Sequence, residues 1–166
     1  MELPKRKHPR LKDYDYSLPG YYYVTIHIEK NAPWLSRVGR GLAPAGAVIH
    51  LTAHGKIVQK QLLALEHRFT NVKVDKYVIM PTHVHAILQF TEFHAGDNRV
   101  SSLMDVIRAF KSLATRECNQ VLNTPGCKLF QTSFYETILR NETAYQKAWQ
   151  YIDQNPEKWF QNPEDI

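Results

Sequence analysis

At 166 residues, with 43% hydrophobic and 22% charged side chains, the chain has the size and composition of one well-buried domain spanning 1–166. No run approaches 18 apolar residues, which excludes a membrane-spanning helix, and the basic start "MELPKRKHPRLKDYDY" lacks the apolar core of a secretory signal, so a cytoplasmic protein is expected. A formal charge of +5 and a pI near 9.2 suit a polyanionic partner without requiring one, and Cys118 and Cys127 lack metal-pair spacing and read as reduced thiols.

The first sixteen residues form a basic arm, with Lys5, Arg6, Lys7, Arg10 and Lys12 clustered and expected to be flexible. "GYYYVTIHIE" (20–29) is rich in aromatic and β-branched residues behind Pro19-Gly20 and predicts a strand. Residues 31–46 carry three of the seven glycines and two prolines and predict a loop, followed by a short strand at 47–51. Helical spacing runs over 52–69, with Thr52 as N-cap and Ile57, Leu62, Leu65 and Phe69 along one stripe. Strands are predicted at 72–80 and 83–90, joined at Pro81-Thr82. A helix capped by Ser101 or Ser102 then runs to about Asn119, with Leu103, Val106, Ile107, Phe110 and Leu113 on its apolar face. A short extended piece is expected near 129–134. The last helix starts at the N-cap Asn141 and is expected to end at Asn155, because Pro156 disfavours helix in the residue before it. The economical packing of this order is α+β: a ferredoxin-like antiparallel sheet with helices on one face and a C-terminal helix.

Alternation along the strand puts His83 and His85 on one face, about 6–7 Å apart. Two neutral imidazoles so placed can converge on a divalent ion. The spacing alone does not distinguish that site from two hydrogen-bonded histidines, since roughly 0.4 such pairs are expected by chance with eight histidines. The C-terminal helix adds what the strand lacks. Tyr151 and Asn155 are four apart and share a face with the small residues Ala144 and Ala148, while Tyr145, Trp149 and Ile152 form the neighbouring stripe and are better core candidates. A divalent ion held by His83, His85 and the Asn155 side-chain oxygen would leave positions for phosphate oxygens, and Tyr151 could then attack phosphorus. The bland alternative for Tyr151 is a packed residue on an amphipathic helix.

"MPTHVHAIL" (80–88), "FQTSFYETILRNE" (130–142), "YIDQNP" (151–156) and the opening "RLKDYDYSLPGYYYVTIHI" (10–28) resemble the motifs of single-tyrosine HUH transposases, closest to REP-associated tyrosine transposases. The resemblance implies that the histidine pair lies on a central strand of a ferredoxin-like sheet and ligates Mg²⁺ or Mn²⁺. It implies Tyr151 as the nucleophile, Asn155 as third ligand and Arg140 as a phosphate contact. The sequence departs from the group at Thr82, where Asn or Glu is frequent, and at Phe130, where Trp is frequent. Tyr135 and Tyr145 compete as nucleophiles; the first lies outside the helix and the second lies on the core stripe.

The implied substrate is single-stranded DNA bearing a hairpin, handled in the cytoplasm at the nucleoid. Candidate DNA contacts are the arm residues Lys5, Arg6, Lys7 and Arg10, and Arg108 and Lys111, which with Arg116 share roughly one side of the 101–119 helix; a merely solvated charged face is the bland alternative there. Two other classes stay open: a non-catalytic hairpin or single-strand DNA-binding descendant, and a metal-dependent phosphodiesterase that uses water. The connection 135–141 permits a site completed within one chain or across a homodimer.

Overall fold

The computed structural model describes residues 10–42, 46–93 and 101–162. A four-stranded antiparallel sheet forms the centre, with β1 (Gly20–His27), β4 (Val72–Ile79), β5 (His83–Phe90) and β6 (Tyr135–Leu139) in the order β4-β5-β1-β6. With α1 (Ala53–Leu63) and α3 (Leu103–Val121) as crossovers, this is the βαββαβ connectivity of a ferredoxin-like sheet. An added hairpin, β2 (Ser36–Arg40) with β3 (Ala47–Leu51), precedes α1, and a single turn, α2 (Leu65–Arg68), follows it.

Alternation decides which residues fill the core. Tyr22, Val24 and Ile26 of β1 and Val84, Ala86, Leu88 and Phe90 of β5 turn to one face and are buried with Ile57, Val58 and Leu62 of α1 and Val106, Ile107 and Phe110 of α3. Ser102 caps α3 in a reciprocal capping box with Asp105. Thr52 caps α1 by accepting from Gly55 N–H at 3.1 Å and donating to the Trp34 and Leu35 carbonyls. Gly55 is required by this close approach, since a Cβ there would sit 1.8 Å from the Leu35 oxygen.

Four local expectations are revised. The 31–46 loop contains β2, because "SRVGR" gains strand geometry only by pairing with β3, Val38 opposite Ile49. The 52–69 helix is broken at Ala64. The strand expected near 129–134 is instead β6 at 135–139, and Phe130 contributes a lone bridge to Ile28. The final helix α4 (Glu142–Gln161) passes through Pro156. Its extra turn buries Trp159 against His83 and Trp34, at ring separations of 6.0 and 6.3 Å, which offsets the lost hydrogen bond.

The described end of the basic arm is packed. Tyr16 is buried, its hydroxyl donates to Glu136 at 3.3 Å, and its carbonyl accepts from Leu103 N–H at 3.0 Å. Among the described residues, no helix is long and apolar enough to cross a membrane.

Candidate active site

The face of the sheet opposite α1 and α3 is polar. Register sets His27 directly across from His83, and Thr25 across from His85 on one side and Tyr135 on the other. Helix α4 lies over this face. Between them is a cavity of about 650 Å³ lined by Tyr23, Thr25, His27, His83, His85 and Tyr135 from the sheet, and by Ala144, Lys147, Ala148 and Tyr151 from α4. The small Ala144 and Ala148 leave its volume open.

His83, His85 and Asn155 are each almost wholly buried, at 1%, 4% and 0% exposure. The His83 and His85 rings lie 4.5 Å apart at 71°. Their Nδ1 atoms are occupied: that of His85 by the Tyr23 hydroxyl at 2.7 Å and the Thr25 hydroxyl at 3.0 Å, that of His83 by the Thr82 hydroxyl at 3.2 Å. A proton on Nδ1 donated to those oxygens leaves each Nε2 with a lone pair. Both Nε2 atoms, and both amide atoms of Asn155, are buried without a hydrogen-bond partner. Each such orphan costs about 1–3 kcal/mol. Simple packing does not account for a cluster of them, whereas a ligand that uses the lone pairs does.

The electrostatics fit the same role. Burial, then the neighbouring His27, pushes His83 down to about 4, opposed by Asn155, whose amide lies close enough to favour the charged ring although it misses hydrogen-bond geometry. Burial, then His83 and His27, pushes His85 down to about 3. Both rings are therefore neutral at pH 7, the form that donates to metals. Burial raises Tyr23 to about 12, so it stays a protonated phenol.

Tyr151 is 39% exposed at the pocket mouth, its ring 5.4 Å from His85 and 6.3 Å from Tyr23. Lys158 places its ammonium 4.8 Å from the Tyr151 ring centroid. Of the competing tyrosines, Tyr135 lines the same pocket, while Tyr145 points away and donates to Asp75 at 2.5 Å. Among the described residues no three His, Cys, Asp or Glu side chains form a metal-holding group; the set here is two imidazoles and a carboxamide, whose nitrogen and oxygen donors suit a divalent ion.

The structure therefore brings His83, His85, Asn155 and Tyr151 together and leaves Arg10, Arg108, Lys111 and Arg140, the expected DNA contacts among the described residues, elsewhere. Arg140 precedes α4 and sits 5.8 Å over the Tyr14 ring, roughly 15 Å along the helix from Tyr151. Arg10 reaches Glu136 at 4.0 Å and covers the Phe134 ring. Arg108 pairs with Asp105 on its own helix at 3.4 Å. The Lys111 ammonium donates to the Gln131 and Thr132 carbonyls. Lys5, Arg6 and Lys7 lie outside the described residues. The sequence reading missed Tyr23, Thr25 and His27 as neighbours of the histidine pair, and Lys147 and Lys158 beside Tyr151. The first three follow the same period-two alternation on β1 that groups His83 with His85, and Lys147 lies one turn before Tyr151.

No family model matches the chain. An uncharacterised protein of Haemophilus influenzae is 25% identical over 172 residues, covering 95% of this chain and 91% of the relative. A candidate transposase of Deinococcus radiodurans R1 aligns with a TM-score of 0.51 at 17% identity, covering 87% of this chain and 95% of that one. A REP-associated tyrosine transposase, solved bound to a REP hairpin, aligns with a TM-score of 0.63 at 19% identity, covering 90% of this chain and 73% of that one. The chain thus has the fold of solved structures from the group that its sequence motifs resemble.

Proposed function

We propose that the protein is a transposase-like enzyme that nicks and rejoins single-stranded, hairpin-flanked DNA through a 5′-phosphotyrosine on Tyr151. The observation that carries the reading is that His83 and His85, buried with unpartnered lone pairs, line one cavity with the exposed Tyr151, while the equally buried and unpartnered Asn155 lies one helical turn beyond that tyrosine. The hairpin bound by the solved tyrosine transposase supports a substrate of that form.

In this reading His83, His85 and Asn155 hold Mg²⁺ or Mn²⁺ through the two Nε2 atoms and the amide oxygen. Such an ion, when bound, polarises the phosphate oxygens as a Lewis acid. Thr25 and Tyr23 fix the ring of His85, and Thr82 that of His83, so that Nε2 remains the free nitrogen. Lys147 and Lys158 flank the tyrosine with positive charge suited to a phosphodiester. The Tyr151 oxygen bonds to phosphorus as the phosphorus–O3′ bond breaks, the phenolic proton leaves to solvent, and the departing 3′ oxygen takes a proton from solvent to become a hydroxyl. Attack of a 3′-hydroxyl on the phosphotyrosine reverses the step and rejoins the strand without ATP, because the bond energy is kept in the ester.

The test is denaturing electrophoresis of the protein after incubation with labelled hairpin-flanked single strands and Mn²⁺. The wild type forms a covalent adduct, EDTA prevents it, and Tyr151→Phe abolishes it. An adduct that persists in Tyr151→Phe moves the nucleophile to another tyrosine, with Tyr135 next in line. Cutting with no trapped adduct makes water the nucleophile, and binding without cutting makes the protein a DNA-binding module.

A further inference from the structure

We propose that the cleft between the second half of α3 and residues 125–132 docks the phosphodiester backbone of the nucleic-acid strand that enters the tyrosine pocket. The cleft has a volume of about 590 Å³, and its lining includes Lys111, Arg116, Lys128, Asn119, Gln120 and Thr132 but no carboxylate. Three cations make a surface for phosphate oxygens, which need charge and donors together, while the Asn119 amide, held by Cys127 and Thr124, and the Thr132 hydroxyl, which accepts from Lys128, shape its wall.

The three cations are not neutralised alike. Lys111 is satisfied by two backbone carbonyls, which accept its protons without cancelling its charge. Burial, then the charge of Lys128, lowers its proton affinity, and the Glu29 carboxylate nearby opposes this without reversing it. Lys128 shares Glu29 at 2.6 Å, with both side chains open to solvent. Arg116 is exposed and makes no ion pair among the described residues. Lys111 thus braces the cleft wall, and Arg116 and Lys128 are the groups able to reach a ligand.

Continuity with the tyrosine pocket identifies the occupant. The wall of the cleft extends the end of β1: Gln131 N–H donates to the His27 carbonyl at 3.0 Å, and Phe130 bridges Ile28 and packs 5.5 Å from Phe110. His27 itself lines the tyrosine pocket. Thr132 of the cleft and Tyr135 of the pocket are three residues apart, a span of at most about 10 Å. The cleft lies on the α3 side of the sheet and the tyrosine pocket on the α4 side, so a strand that passes Tyr135 reaches the cations by turning around the start of β6. The proposal rests on the strand-processing reading for the identity of that strand.

The experiment is fluorescence anisotropy of the full chain with a labelled single-stranded oligonucleotide, alone and carrying a hairpin, across a salt series. Arg116→Ala and Lys128→Ala are each expected to weaken binding roughly 3- to 10-fold and to reduce the salt slope by about one. Lys56→Ala, an exposed charge on α1, removes the same charge and is expected to leave both unchanged. Wild-type affinity and slope in both cleft variants would overturn the proposal, as would an equal loss in Lys56→Ala, which signals net charge only. Tighter binding of polyglutamate than of oligonucleotide, with the same Arg116 dependence, would make the partner an acidic protein and also overturn it. Adduct formation separates the two claims. If the wild type forms no adduct while the cleft variants lose affinity, the strand-processing reading fails and the cleft stands; if adducts form and the variants bind normally, the cleft fails alone.

Discussion

On one face of the sheet, Val24, Ile26, Val84, Ala86 and Leu88 join Leu62, Val106 and Phe110 in one apolar core, whereas the other face sets Tyr23, Thr25, His27, His83 and His85 beneath α4. The first face is stabilised by apolar area at about 25 cal/mol per Å² removed from water. The second buries only Ile152, Asn155 and Trp159 of the helix that covers it. What holds α4 in place is mostly at the surface: Lys76 on Asp153 at 2.9 Å and over Trp149 at 3.5 Å, Arg40 on Phe160 at 5.4 Å, and Glu157 accepting from Ala47 N–H at 3.0 Å. Exposed contacts of that kind contribute up to about 1 kcal/mol each. One face thus carries the stability of the domain, and the other carries unpaired chemistry at a cost to stability.

That contrast breaks most visibly at Phe110. Phe110→Ala is expected to lower unfolding free energy by about 3–5 kcal/mol in urea denaturation, through the cavity it leaves. A loss below 1 kcal/mol would mean that the α1/α3 face is not the stabilising one.

Acid acts on the other face. His83 and His85 have folded values of about 4 and about 3, below the unfolded imidazole, so the unfolded chain takes up protons first as pH falls. Metal-free protein should be nearly insensitive above about pH 7.5 and lose about 4–5 kcal/mol between pH 6.5 and 4.5, with the loss removed in His83→Gln/His85→Gln. A urea midpoint that does not move over that range would place both rings in water.

Asn155→Leu sharpens the same point with opposite signs. Replacing the buried, unpartnered carboxamide by an apolar side chain of similar size should leave stability unchanged or raise it by about 1–3 kcal/mol. Mn²⁺ binding, followed by electron paramagnetic resonance, should weaken at least tenfold. Destabilisation with metal binding intact would make Asn155 a structural residue.

Lys76→Ala is the smallest change. Losing the Asp153 pair and the Trp149 stacking should cost about 0.5–1 kcal/mol globally. Amide exchange should nevertheless quicken selectively in α4 and not in α3. Equal acceleration in both helices would mean that α4 is no looser than the core.

Much of the fold is local in origin and was legible in the residues. Alternation in "GYYYVTIHIE" and "HVHAILQF" predicts both central strands and the shared face of His83 and His85, and the caps Thr52, Ser102 and Asn141 mark where three helices begin. The four-residue spacing of Tyr151 and Asn155 places them on one side of α4. Tertiary packing decided the rest. "SRVGR" is a strand only because β3 lies beside it, and α4 outlasts Pro156 only because Trp159 finds a buried place against His83. Residue spacing within one element says nothing about its distance from another. That two imidazoles on β5 line one cavity with a tyrosine of α4, and that a buried carboxamide of the same helix also keeps its lone pairs free, follows from the register of three strands and the seating of one helix.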